Sequence, residues 1–386
     1  MKKSTKYLII ILFSVAFIGI TIPFSLYIFN ESSTSTRSTY VQIIVNSSIY
    51  DQIFPETNQY KQDIINQGYT ADLVAWSDIN VTKLRDHLIN VSQQSLGLFG
   101  AVLIGDLPVA IIENYDTVQG FGLEIFPSDL YLMDLDGQWD NLDMDNDFES
   151  HTPGTGDIYP EIWIGRINPE CLNNLNHLQA YQDYFNRNHD YRNGNLSLPH
   201  SQLIYIDDHW AGDASEWIAD ITAYTNKTSI YSPTTSTNEV DYTNRLTQYY
   251  EFVHIFVHSD YEKHWFGPWS SLGSEGFLNY TEVLNLQTKP LFYNLFACSA
   301  ARFTMTNNIG TQYLFSNNSL VVIGTTKTGG MTMNSFFYNP LRQGKVFGEA
   351  FRLWFWNDDG TVSHGPDDPW SMGMTLLGDP LLTINM

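Results

Sequence analysis

The feature that most constrains this chain is a set of short, almost wholly apolar runs, each ending at a polar or reactive side chain. Gly100-Ala-Val-Leu-Ile-Gly105 stops at Asp106, Gln202-Leu-Ile-Tyr-Ile206 at Asp207, Glu251-Phe-Val-His-Ile-Phe-Val257 at His258, and Pro290-Leu-Phe-Tyr-Asn-Leu-Phe-Ala297 at Cys298. Leu320-Val-Val-Ile-Gly324 runs into Thr325 in the same way. Runs of this length without alternation fit strands buried on both faces, as in a parallel sheet covered by helices. Open sheets of that kind gather ligands and chemistry at the carboxyl ends of their strands.

Two of these endings match chemically. A thiol at Cys298 and an imidazole at His258, delivered to one sheet edge by neighbouring strands, are the components of a cysteine nucleophile with a histidine partner. Taken singly, a cysteine is more often a packing residue and a strand-end histidine more often structural. Their coincidence at corresponding ends of two strands is what favours catalysis. The second thiol, Cys171, follows Asn168 and Pro169, which read as the N-cap and first residue of a helix. Leu172, Leu175, Leu178 and Phe185 supply that helix with an apolar stripe, so Cys171 is expected to pack. With only two cysteines there is no disulfide framework and no zinc pattern. A Gly-x-Ser-x-Gly elbow, a Walker phosphate loop and a His-Glu-x-x-His helix are absent as well.

The amino-terminal segment 1–39 stands apart. Lys2, Lys3 and Lys6 precede an uncharged run from Tyr7 to Phe29, which at about 1.5 Å per residue is long enough to cross a hydrocarbon layer of roughly 30 Å. The lysines should remain cytoplasmic, so a transmembrane anchor with the body on the extracellular side is the preferred reading; a cleaved signal peptide releasing a secreted protein is the alternative. Asn30 to Thr39 reads as a flexible tether. The body then alternates strand and helix in two blocks, 40–199 and 200–386, which predicts an α/β fold. Nineteen Lys and Arg against 42 Asp and Glu give a formal charge of -23, which argues against nucleic acid or an anionic lipid surface as the main partner. Membrane association is expected through the amino-terminal segment alone.

Carboxylates crowd one loop, Asp134-Leu-Asp-Gly-Gln-Trp-Asp140 followed by Asp143-Met-Asp-Asn-Asp147. Asp134, Asp136 and Asp140 form a candidate site for a hard cation such as structural calcium, with a solvated acidic turn as the competing reading. The EF-hand pattern fails because Phe148 stands where its glycine is required. No cofactor is expected for the chemistry itself.

Several motifs in order resemble the gingipain-type cysteine peptidases, peptidase family C25, within the caspase-like clan. They are Val102-Leu-Ile-Gly-Asp106, Asp129 to Asp140, Tyr159-Pro-Glu-Ile-Trp-Ile-Gly-Arg166, Val257-His258-Ser259, Ala297-Cys298-Ser-Ala-Ala-Arg-Phe303 and Leu377-Gly-Asp-Pro380. The resemblance implies a caspase-like fold of two side-by-side α/β subdomains with mainly parallel sheets flanked by helices. It also implies hydrolysis of protein or peptide substrates, with Cys298 attacking the scissile carbonyl and His258 protonating the departing amine. Glu161 matches a carboxylate that orients the histidine, and the N–H groups of Cys298 and Ser259 would hold the oxyanion. Ser259 departs from the usual glycine, a position where a backbone turn near the substrate would cost serine about 1 kcal/mol. Asp207, Asp208, Thr325 and Thr326 are the candidates for the substrate-pocket wall, and the acidic balance favours a basic residue before the cleaved bond. Two competing readings are an inactive surface protein that kept this fold, and a calcium-stabilised adhesion or envelope module built on Asp134 to Asp147.

Overall fold

The computed structural model describes residues 38–116, 120–356 and 365–384. The anchor expected at Tyr7 to Phe29, and most of the tether, lie outside the described residues. Among those described, no helix is long and apolar enough to cross a membrane.

Ten strands form one sheet: β1 (Tyr40–Asn46), β2 (Thr70–Trp76), β3 (Gly100–Ile104), β4 (Trp163–Ile167), β5 (Gln202–Ile206), β6 (Lys227–Tyr231), β7 (Phe252–Phe256), β8 (Phe292–Phe296), β9 (Val321–Thr325) and β10 (Met374–Gly378). Their order across the sheet is β6-β5-β7-β8-β9-β10-β4-β3-β1-β2. Within β1 to β4 all pairings are parallel, and so are those within β5 to β9. β10 is antiparallel to β9 and parallel to β4, so the two sets run in opposite directions. This direction change places the start of β4, with Glu161 just before it, at the same sheet edge as the carboxyl ends of β7, β8 and β9. Apart from β10, which runs with the first set, the strands of the two sequence blocks form two opposed sets in one continuous sheet, and the residues from Ser38 onward cluster as one unit.

The core follows the strand period of two. In β1, Val41, Ile43 and Val45 point to one face, where α1 (Phe54–Asn66) contributes Tyr60 and Ile64 and α3 (His177–Arg192) contributes Tyr181, Tyr184 and Phe185. Tyr40 and Ile44 point to the other, where α2 (Val81–Ser92) contributes Leu84, Leu88 and Val91 and α4 (Phe347–Phe355) contributes Phe347 and Phe351. Both cores extend across the two blocks. At the join, β10 meets β4 with Leu377 opposite Arg166. The buried Arg166 guanidinium binds the Asp129 carboxylate, Nη2 to Oδ1 at 2.7 Å, and Thr375 Oγ1 donates to the same carboxylate at 3.2 Å. Paired and hydrogen-bonded in this way, the buried charges fix how the two sets abut.

α3 begins eight residues later than the Asn168-Pro169 signal suggests. The Asn168 side chain does accept from the Glu170 N–H at 3.0 Å, but only a turn follows. Cys171 O accepts from Asn307 N at 2.7 Å, and Asn173 N donates to Asn307 Oδ1 at 3.0 Å. These bonds to a distant segment compete with helix continuation, and the helix starts only where Asn176 caps the Gln179 N–H.

Candidate active site

β7 and β8 are neighbours in parallel register, Phe252 opposite Phe292 through Phe256 opposite Phe296. The ladder continues one step, with Val257 N donating to Phe296 O at 3.1 Å. His258 and Cys298 each stand two residues beyond their strand, at the same edge of the sheet. Both strands are fully buried, because Phe252, Phe256, Phe292 and Phe296 pack on one face and Val253, Ile255, Tyr293 and Leu295 on the other. Rigid strands of this kind aim the two side chains more firmly than loops would.

His258 is 9% exposed. Its Nε2 lies 2.6 Å from Nδ1 of His209, and the two rings stack with centroids 4.9 Å apart. Trp210 packs at 4.3 Å and Trp269 at 5.0 Å from the same imidazole. Burial, reinforced by His209, pushes the His258 pKa down to about 4, so the ring is neutral near pH 7. Nothing in sequence spacing marks His209 or the two indoles, since Trp269 reaches the ring from a separate loop.

Cys298 is partly exposed. Burial, with Glu124 adding to it, holds its thiol above the ordinary range, against the Gly329 N–H and the Lys327 ammonium, which favour the thiolate. The resting pair is thus thiol and neutral imidazole. Just past the sulfur the chain turns sharply: Ser299 has φ 57° and its N–H donates to Lys327 O at 2.7 Å. Left-handed serine is uncommon and is held here by the surrounding hydrogen bonds. Ser259, where strain was anticipated, is not among the residues with positive φ. It pairs with His264 in a short antiparallel strand, and its hydroxyl turns inward to Asp260 O at 2.7 Å and Lys263 O at 2.9 Å. The expected glycine-type penalty does not arise, because this backbone is extended.

A hairpin from the first block, residues 110–116 and 122–128, reaches this loop. Glu124 Oε2 lies 2.5 Å from Nζ of the buried Lys327, Glu124 Oε1 accepts from Thr328 N at 3.0 Å, and Arg302 Nη2 donates to Ile125 O at 2.6 Å. Thr326 Oγ1 donates to Pro127 O at 2.6 Å. Thr325, Thr326 and Asp207 have no exposed surface, whereas Asp208 is half-buried.

Glu161 sits at the active edge but is not hydrogen-bonded to His258. Its carboxylate accepts from Leu135 N at 2.6 Å and lies within 4.8 Å of those of Asp134 and Asp136. Burial, with those two charges, raises its pKa to about 7. Asp140 is engaged elsewhere, accepting from Gln138 Nε2 at 2.8 Å. Asp134 is served within the protein: Oδ1 accepts from Gly137 N at 2.8 Å, and Oδ2 lies 2.6 Å from His151 Nε2. Burial disfavours charge on His151, but Asp134 and Asp367 outweigh it and raise its pKa.

Cys171 is remote from this arrangement. It lines a cavity of about 290 Å³ with Asp106, Arg166, Glu170 and Phe303, and burial raises its thiol pKa.

No curated protein matches the chain. The model of peptidase family C25 matches residues 34–385. A mainly parallel α/β sheet presenting one cysteine and one histidine at a shared edge is in keeping with that match over nearly the whole chain, and the protein belongs to peptidase family C25, the gingipain-type cysteine peptidases with a caspase-like fold.

Proposed function

We propose that this peptidase is an endopeptidase of the extracellular side of the membrane, held by its amino-terminal segment, with Cys298 as nucleophile and His258 as its proton partner. The observation that carries this reading is the register of β7 and β8, which sets the two side chains two residues past matched strand ends. The thiol passes its proton to the neutral His258 as sulfur attacks the substrate carbonyl. The imidazolium then gives that proton to the departing amine nitrogen, leaving a thioester on Cys298 that water hydrolyses. The Cys298 and Ser259 N–H groups stabilise the oxyanion, a role worth roughly 3 kcal/mol per donor. His209, not Glu161, orients the imidazole.

The test is cleavage of a mixed peptide library by the full chain and by Cys298→Ala and His258→Ala. Both variants are expected to lose cleavage while keeping the folded circular-dichroism spectrum. Unchanged cleavage by Cys298→Ala would remove the chemistry from this site. For the location, the intact protein is expected to sediment with membranes and to be shaved from whole cells by added protease; recovery from the cytosol would refute it.

A further inference from the structure

Three rings surround the His258 imidazole, and they differ in what else they touch. His209 holds its Nε2. Trp210 is half-buried and extends inward, its ring 5.7 Å from that of Phe296. Trp269 lies 5.0 Å from the His258 ring and 5.4 Å from that of His209, yet remains 65% exposed. So much indole left in water forgoes the stabilisation that burying an aromatic side chain gives.

The segment carrying it is nonetheless fixed. Trp269–Ser271 forms a single turn within a loop closed by Phe266 N to Gly276 O at 3.0 Å and Gly273 N to Phe266 O at 2.9 Å. Gly267 N also donates to the buried Asp207 carboxylate at 3.0 Å. An exposed aromatic ring on a loop pinned at its base is arranged for contact with another molecule, since little further ordering is needed on binding.

Cleavage through His258 brings the departing amine nitrogen within about 3 Å of the imidazole. That nitrogen belongs to the residue on the carboxyl side of the cut bond. Two bonds of about 1.5 Å lead from it to Cβ, so the side chain starts roughly 4 to 6 Å from the imidazole. Trp269 stands at that distance with most of its surface free. We propose that Trp269 is a specificity-determining residue: its indole receives the side chain of the first residue after the cut bond, and the peptidase favours a large apolar or aromatic residue there. The ring supplies apolar area and no counter-charge. An acidic side chain is disfavoured further, because Asp208 precedes His209 and Glu275 lies on the Trp269 loop. This assignment rests on His258 delivering the proton to the amine.

The experiment takes one peptide that the full chain cleaves and varies only the residue after the cut, as Phe, Leu, Gly, Lys and Asp, with kcat/KM measured for each. Phe and Leu are expected to exceed Gly by about tenfold or more, with Asp slowest. Trp269→Ala should bring the Phe-to-Gly ratio to within about threefold of unity, and Trp269→Phe should keep most of it. A role confined to holding His258 would slow all five peptides alike and leave that ratio where it was. Tyr249→Ala removes an equally exposed aromatic ring ahead of β7, at the opposite edge of the sheet, and should not change the ratio. A wild-type ratio near one, a ratio that survives Trp269→Ala in a protein with the folded circular-dichroism spectrum, or Lys exceeding Phe in both proteins overturns the assignment. Cleavage with the wrong ratios removes Trp269 alone, whereas no cleavage of any peptide removes the Cys298 and His258 reading on which it stands.

Discussion

His258 is neutral because it is buried among aromatic rings, and the hydrogen bond to His209 decides which way it faces. Orientation of a general base is worth as much as its presence once it must meet both thiol and leaving amine. His209→Ala is therefore expected to lower kcat by about 10- to 100-fold with little change in KM, a loss that steady-state kinetics on one peptide would measure. His209→Gln, which keeps a polar side chain at the ring, should recover part of it. Ser259→Gly should leave kcat within about twofold, because the backbone there is extended and gains nothing from glycine. The thiol at Cys298 is pushed above its ordinary range, mainly by burial. Its alkylation by iodoacetamide should keep accelerating as pH rises past the ordinary thiol midpoint, since the thiolate is the reactive form. A plateau reached near pH 7 would show an ion pair that this geometry does not contain.

At the level of elements, the strands that carry the site were legible because they are unbroken apolar runs. β3, β5, β7, β8 and β9 fall within a residue or two of the runs seen in the sequence. The edge strands β2 and β6 were not, for half their side chains meet solvent or loops and their composition is mixed: Asp72 sits in β2, and Lys227 and Ser229 in β6. The hairpin of strands 110–116 and 122–128 escaped for a different reason, because its inward contacts are with Lys327 and Thr326, some 200 positions away, and periodicity reports only local faces. His209 escaped in the same way, while Glu161, expected to orient the histidine, accepts from Leu135 N instead. Two substitutions test the elements. Lys327→Met leaves Glu124 facing the Cys298 loop without its cation and should destabilise the fold by about 3 kcal/mol in urea unfolding. In β3, a methyl at Gly100 would lie 2.1 Å from the buried Trp163 ring. Gly100→Ala should consequently cost about 3 kcal/mol or more, unless the indole leaves its pocket.

For the molecule as a whole, buried titratable groups set a pH window of stability. His254, His258 and His264 are neutral in the folded state: burial takes His258 down to about 4 and His264 to about 3, and puts His254 well below its ordinary value. An unfolded chain protonates all three near pH 6.5, so stability is lost as pH falls from there toward 3. Glu161 and Asp207, both raised to about 7, act in the opposite sense: their contribution is complete below the ordinary carboxylate range and disappears as pH rises to 7. On the acid side the imidazole contribution is therefore a fall in the urea midpoint between about pH 6.5 and 3. His264→Gln should flatten that fall, and an unchanged acid limb would remove His264 from the account. The central claim remains that Cys298 and His258 act as one unit on a peptide. It is tested most directly by incubating the protein with a peptidyl chloromethyl ketone and mapping the adduct by mass spectrometry. The account predicts labelling of Cys298 and not Cys171, slowed by about 100-fold or more in His258→Ala; equal labelling of both thiols, or a rate indifferent to His258, would contradict it.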